Sequence, residues 1–377
     1  MEILFIANTI NDSRGGMCNA ILNLGNSLRA AGHDVDYIFR DSLTFFKKDR
    51  PFNRMAAFLT FPIVILILIL FKRLDRKYDI IDVSSGDGFL YGILAKRLRF
   101  KRHAKLVMRS HGLEHLYWEN LKEEHRLTGE SSSLAQRMFL PLIRIRQVDI
   151  SIRECDLIIC NNMDEKSYIK AMLGNCDDKR ISCIPHGVSS RFFAQSAGSR
   201  RLLFVGDWNW RKGQLYLVKI YIAILRSHPD AQLSIVVRKN DGEVMRSFPE
   251  YVRDKISVFK NLHSDKMARL YASCGIFIFP SIFEGFGCAV LEAMAAGMAV
   301  VVTNDFGWSR VIKNWENGVL VEKRDVASFS KAVARLLENE ALRNDIGLRA
   351  SQTAKRFSWT SAADQTIACY SDLIEKK

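Results

Sequence analysis

The chain lacks any CxxC pair and any Cys/His spacing that would hold zinc, although it carries eight cysteines, at positions 18, 155, 160, 176, 183, 274, 288 and 369. A structural zinc site and a disulfide framework are both set aside, and reduced thiols are expected. No leader is expected either. MEILFIAN opens directly on an apolar segment with no basic stretch before it, so no secretory signal is read and a cytosolic chain is expected. No paired Asp/His cluster calls for a metal, and none is expected. No aromatic-basic platform accompanies the charge, which places nucleic acid last among partners. Nor is there a hydrophobic run of spanning length. MAAFLTFPIVILILILF at 55–71 falls short of the roughly 20 residues that cross a bilayer, and Pro62 interrupts it.

Apolar residues and positive charge are what the chain has in quantity. At 377 residues with 48% hydrophobic composition it can bury more than one core, and two domains of similar size are expected. The formal net charge of +14 is unevenly spread: KRLRFKRHAK at 96–105 holds six Lys/Arg, and FKRLDRKYD at 71–79 holds four. Such runs read as a solvated helix face, a phosphate-neutralising patch or a contact with anionic lipid. The run at 55–71 bears on that choice. If it crossed a membrane, residues 1–54 would be parted from the strands with which they must pair. A helix that merely covers a sheet needs one apolar face, and this one is apolar all round. The favoured reading is a monotopic helix resting on an anionic membrane surface through residues 55–77 and 96–105, at the inner face of the cytoplasmic membrane.

Strand and helix patterns alternate from the first residue. MEILFIAN is a strand, NDSRGG a loop, and MCNAILNLGNSLRAAG a helix with Ile21, Leu22, Leu24 and Leu28 along one stripe; VDYIF is the second strand. Further strands are read at 79–85, 105–111, 156–162 and 181–187. SSRFFAQSAGSR reads as a linker, after which the rhythm restarts with RLLFVGDW at 201–208 and continues in strands at 232–239, 256–259, 275–280, 298–303 and 318–323. The fold class expected is α/β, with two Rossmann-like domains facing a central cleft that strand carboxyl ends line.

One stretch carries chemistry: PSIFEGFGCAVLEAMAAGMAVV at 280–301. GIFIFPS reads as a buried strand, IFEGFG as its exit loop, CAVLEAMAA as a helix and Gly297 as that helix's C-terminal cap. Gly285 and Gly287 let backbone approach a ligand, and the helix turns its unpaired N–H groups and the positive end of its dipole toward the loop, which suits a phosphate. Glu284 and Glu292 have the wrong charge to bind phosphate but suit neutral hydroxyls on either side of it. A ligand with hydroxyls flanking a diphosphate is a nucleotide sugar. A glutamate early in a helix is favoured by the dipole alone, so the pair by itself is weak and the complete string carries the reading.

That string resembles the retaining GT-B glycosyltransferases of family 4, whose E-x7-E element has the form EGFG followed by LEAMA and a glycine; Met298 stands where the family usually has proline. Other segments are similar in order: IANTINDSRGG, AAGHDVDYI, MRSHG, CIPHGV, FVGDWNWRKGQLYL, WENGVLVEKRDVASFSKAVARLL and RFSWTSAADQTIACYSDLI. The resemblance implies an N-terminal acceptor-binding and membrane-facing domain at 1–195, a nucleotide-sugar domain at 196–355 and a helix at 356–377 that crosses back to the first domain. It implies that Glu292 binds the ribose, Glu284 a hydroxyl of the donor sugar, and the backbone around Gly285, Phe286, Gly287 and Cys288 the diphosphate. Lys212 would neutralise phosphate, near Gly206 at the end of its strand, while Gly15 and Gly16 approach the donor phosphates and His111 sits beside the transferred sugar. His111, Lys212 and Glu284 are the catalytic candidates. Asp207 stands where the family usually has arginine, and Arg211 is expected to compensate. The implied activity is transfer of a sugar from a nucleotide-diphosphate donor to a glycan or lipid-linked acceptor, with no cofactor. Kept beside it are an NDP-sugar epimerase, a pyridoxal-dependent phosphorylase of similar architecture, and a membrane-docked binding or scaffold protein without turnover, the last favoured by Asp207.

Overall fold

The computed structural model describes residues 1–12, 15–43, 51–97, 103–129, 133–174, 178–193, 198–239, 241–305 and 307–375. They form two compact units, residues 1–187 with 359–377 and residues 188–358. The first unit ends at Gly187, short of the expected 195. The turn Ser190–Phe192 belongs to the second unit, where Phe192 is buried with its ring edge-on to Tyr271 at 5.5 Å.

In the first unit, runs of Ile, Leu, Val and Phe make six parallel strands: β1 (Glu2–Ala7), β2 (Asp34–Phe39), β3 (Ile80–Ser84), β4 (Lys105–Arg109), β5 (Leu157–Cys160) and β6 (Ile181–Cys183), in the order β2-β1-β3-β4-β5-β6. A parallel sheet must be covered on both faces. On one face, Ile21, Leu24 and Leu28 of the helix Gly16–Ala30 and Ala362, Ala363 and Tyr370 of the helix Trp359–Glu375 share a core with Ile3 and Phe5. On the other, Phe61, Ile65 and Ile69 pack with Leu4, Ile6, Ile81 and Val83. The C-terminal helix is also tied to the strands by polar groups. The Arg109 guanidinium lies 2.8 Å from the Asp82 carboxylate with both side chains buried, and the Tyr370 hydroxyl reaches both of them.

The run at 55–71 lies in one helix, Pro51–Phe71, and Pro62 does not break it. A proline leaves the carbonyl four residues back without its helical donor. Here the Gln147 side-chain amide supplies one, with Nε2 3.0 Å from the Phe58 carbonyl oxygen. The helix has two distinct apolar faces. Ala57, Phe61, Ile65 and Ile69 are buried, whereas Leu59, Ile63, Ile67 and Phe71 are 45, 49, 47 and 83% exposed. Among the described residues no helix is long and apolar enough to cross a membrane. Of the second basic run expected at the membrane, 98–102 lie outside the described residues.

The second unit repeats the plan with β7 (Leu202–Val205), β8 (Leu233–Val237), β9 (Ile256–Lys260), β10 (Ile276–Phe279), β11 (Ala299–Thr303) and β12 (Val319–Val321), all parallel, in the order β12-β11-β10-β7-β8-β9. Chain order reverses between β7 and β10. In an open parallel sheet a ligand crevice forms beyond the strand carboxyl ends at such a point. The loops that leave β7 and β10 there are residues 206–213 and 280–287.

Candidate active site

The two loops are stitched together by one carbonyl. The Arg211 oxygen accepts from the backbone N–H groups of Ile282 (2.8 Å) and Phe283 (3.2 Å), and the Ser281 hydroxyl lies 2.9 Å away. Arg211 presents it from a 3-10 turn, Trp210–Lys212, that Asn209 caps through the Lys212 N–H. Gly213 then turns with φ of 71°, and a Cβ there would come within 1.9 Å of the Pro280 carbonyl oxygen, so no other residue lets the first loop lie this close to β10. The Gly206 backbone faces the Lys212 stem, which a Cβ would meet at 3.2 Å.

The consequence is a buried ion pair, Lys212 Nζ to Glu284 Oε1 at 2.7 Å, with the Ser281 hydroxyl at 2.7 Å from the same carboxylate oxygen and the Phe279 ring beneath the ammonium at 4.9 Å. Burial alone would raise the Glu284 pKa. The charges of Lys212 and Arg211 and the hydrogen bonds from Lys212 and Ser281 outweigh it and hold the carboxyl below its usual range. Burial also lowers the Lys212 pKa, against the opposing pull of Glu284.

Gly287 follows with φ of 77° and starts the helix Cys288–Ala295, whose first turn has neither a side-chain cap nor an acidic residue. Its leading N–H groups and the positive end of its dipole are left to an anion. The Cys288 thiol is pushed up to about 12, by burial first and then by the charge of Glu292, so it is protonated at neutral pH. Glu292 accepts from the Tyr271 hydroxyl at 3.0 Å, and burial pushes its carboxyl up to about 7.

Asp207, the departure from the family pattern, has a partner the sequence reading missed. Arg238, beyond the end of β8, grips it with two guanidinium nitrogens, Nε at 2.9 Å from Oδ1 and Nη2 against Oδ2. Burial would raise the Asp207 pKa, but the hydrogen bond and charge of Arg238 bring it below the usual carboxylate range. Tyr271 and Ser281 were missed as well. Ser281 had a local signal, as it sits three residues before Glu284; Arg238 and Tyr271 had none, being remote in sequence from the groups they serve.

Gly15, Gly16 and His111 belong to the first unit. Gly15 and Gly16 open the helix after β1, and among the described residues a Cβ on Gly16 would meet nothing within 4 Å. His111 follows β4. Both its ring nitrogens are buried and without a hydrogen-bond partner among the described residues, and its ring stacks 6.0 Å from that of His186. Burial, then the neighbouring His186 and Arg109, lowers its pKa well below the ordinary histidine value, so the ring is neutral. Its loop is anchored by the buried Glu165, a residue the sequence reading did not single out. Glu165 Oε1 accepts from the Leu113 N–H at 2.9 Å and Oε2 from the Asn161 N–H at 3.4 Å.

Two family models match in tandem: "Glycosyltransferase Family 4" over residues 14–192 and "Glycosyl transferases group 1" over residues 190–353. The chain belongs to the family 4, group 1 glycosyltransferases. The chain spans about half the length of the first curated relatives it matches. One relative is matched more widely, the UDP-Gal:alpha-D-GlcNAc-diphosphoundecaprenol alpha-1,3-galactosyltransferase of Escherichia coli, 25% identical over 82% of this chain and 80% of that one. Among solved structures, the sucrose-phosphate synthase of Thermosynechococcus elongatus superposes with a TM-score of 0.79 at 21% identity over the whole of both chains. HepE of Anabaena, crystallised with UDP, superposes with a TM-score of 0.69 at 16% identity over 99% of this chain and 100% of that one. These likenesses and the two parallel six-stranded sheets show the GT-B fold, with two Rossmann-like domains.

Proposed function

We propose that this glycosyltransferase-family chain moves a sugar from a nucleotide-diphosphate donor to an acceptor hydroxyl, with retention at the anomeric carbon and without a metal or cofactor. The observation that carries the reading is the buried Lys212–Glu284 pair beside an uncapped helix end at the reversal point of the second sheet. Glu292 takes ribose hydroxyls and Glu284 a hydroxyl of the donor sugar. The backbone of Gly285, Phe286, Gly287 and Cys288 holds the diphosphate. When the bond from the anomeric carbon to the diphosphate oxygen breaks, its electron pair stays on that oxygen, and Lys212, Arg211 and the helix N–H groups meet the growing charge. The acceptor oxygen bonds to the same carbon and its proton passes to the departing diphosphate. Neutral His111 hydrogen-bonds the transferred sugar, and Gly15 and Gly16 admit backbone to the donor phosphates. UDP bound in HepE supports the class of donor. Asp207 weighs less toward a binding protein without turnover, because its charge is already met by Arg238.

The acceptor in this reading is lipid-linked or membrane-borne. The stripe Leu59, Ile63, Ile67 and Phe71 runs directly into exposed Lys72, Arg73, Arg76 and Lys77, a pairing of apolar surface and positive charge that suits an anionic leaflet, here the inner face of the cytoplasmic membrane. The lipid-diphosphate acceptor named for the Escherichia coli relative supports it. The test is a thermal-shift panel of UDP, GDP, ADP and their sugars, since a ligand of the folded state alone raises its stability. One nucleotide series is expected to raise the melting temperature in the wild type and not in Glu292→Ala. No shift with any of them overturns the donor reading.

A further inference from the structure

Trp308 is 3% exposed, yet its indole N–H has no hydrogen-bond partner among the described residues. A buried tryptophan usually finds an acceptor for that group. The ring is firmly placed. Gly307, with φ of 79°, leads into the turn Trp308–Arg310, the Trp308 backbone N–H donates to the Asp305 carbonyl at 3.1 Å, and the ring packs against Phe286 with centroids 5.6 Å apart. Nε1 faces the start of the helix Cys288–Ala295: a Cβ built on Gly287 would come 3.1 Å from it. A side chain at 287 would therefore press on the indole nitrogen, and glycine leaves that side of it free of any side chain.

We propose that the Trp308 N–H is a ligand donor that hydrogen-bonds an oxygen of the donor diphosphate, beside the N–H groups at the start of the helix. The inference rests on the nucleotide-sugar reading above. The two carboxylates of the site are already engaged by other donors: Glu284 by Lys212 and Ser281, Glu292 by Tyr271. An uncapped helix end and an indole N–H are all donors, and the chemistry that answers a set of donors is an oxyanion. Nε1 is closed to water, so the ligand oxygen reaches it as the Gly285–Gly287 segment gives way, which the glycines permit.

The test uses full-length protein with indole-15N tryptophan. The Trp308 signal is the one absent from Trp308→Phe, a change that keeps an aromatic ring against Phe286 and removes the donor. UDP, GDP and ADP are titrated, then the nucleoside of whichever binds. The diphosphate is expected to move the Trp308 indole proton downfield while the nucleoside leaves it in place, and Trp308→Phe is expected to bind the diphosphate about tenfold more weakly and the nucleoside equally. A diphosphate that binds the wild type, leaves that signal unmoved and binds Trp308→Phe as tightly overturns the inference alone. If no nucleotide binds the wild type, the donor reading falls, and inorganic pyrophosphate then decides the indole: a shift supports an oxyanion contact, none overturns it. Should Trp308→Phe fail to fold, the signal is assigned from its proximity to the Phe286 ring and its shift in the wild type decides.

Discussion

Glu292 sits in the helix Cys288–Ala295, where the Tyr271 hydroxyl donates to its carboxylate, and burial moves that carboxyl from an ordinary 4.5 to about 7. A group whose folded pKa is raised contributes stability that is complete below its unfolded pKa and is lost as pH climbs through the folded one. The free protein should therefore lose stability between about pH 4.5 and 7, and Glu292→Gln should flatten that slope. Ribose hydroxyls prefer the carboxylate, so nucleotide affinity should run the other way, rising to about pH 7 and levelling off, with a proton released on binding. Calorimetry in buffers of different ionisation enthalpy measures this, and an affinity flat across that window would remove Glu292 from the ribose. The two glutamates were legible because EGFG and LEAMA keep both of them and the glycine turn within a dozen residues. Arg238 and Glu165 were not, because an ion pair or a carboxylate clip between distant loops leaves no local spacing to read.

At the scale of the element, the helix Pro51–Phe71 shows how far periodicity reaches. Its apolar character was plain, and the strands were legible from β-branched runs closed by glycine, proline or polar residues. What could not be read was how an interior proline survives, since that depends on Gln147, which the fold brings to the Phe58 carbonyl from a different helix. The exposed stripe yields a prediction. Half-exposed isoleucines each bury about half a side chain in a lipid interface, worth about 1 kcal/mol apiece. Ile63→Glu with Ile67→Glu should lower binding to phosphatidylserine-containing vesicles by at least about tenfold in a sedimentation assay. Both positions face solvent, so melting should shift little. Unchanged vesicle binding would mean that the stripe meets something other than lipid.

For the whole molecule, the partition of the chain matters more than its length. The second unit is one continuous stretch, 188–358, whereas the first is assembled from 1–187 and 359–377. The closing helix supplies Ala362, Ala363 and Tyr370 to the first unit's core and a hydroxyl to the buried Arg109–Asp82 pair. A chain ending at Ser358 should therefore expose an apolar face on the first unit and leave that pair without its third member. Measured by limited proteolysis, residues 1–187 are expected to be digested quickly while 188–358 persist, and a synthetic 359–377 peptide should restore protection. Equal resistance of both units without the peptide would show that the helix only decorates the first.

That partition also sets a clock. As the ribosome delivers residues in order, the second unit has its complete sequence before the first has its last helix, so the first waits with one side of its sheet only partly covered, by the helix Gly16–Ala30, for as long as it takes to make 188–358. The segment that waits includes the stripe of Leu59, Ile63, Ile67 and Phe71. A nascent chain that meets a membrane during the delay can settle there before its own fold is finished, so when the protein is made can matter to where it ends up.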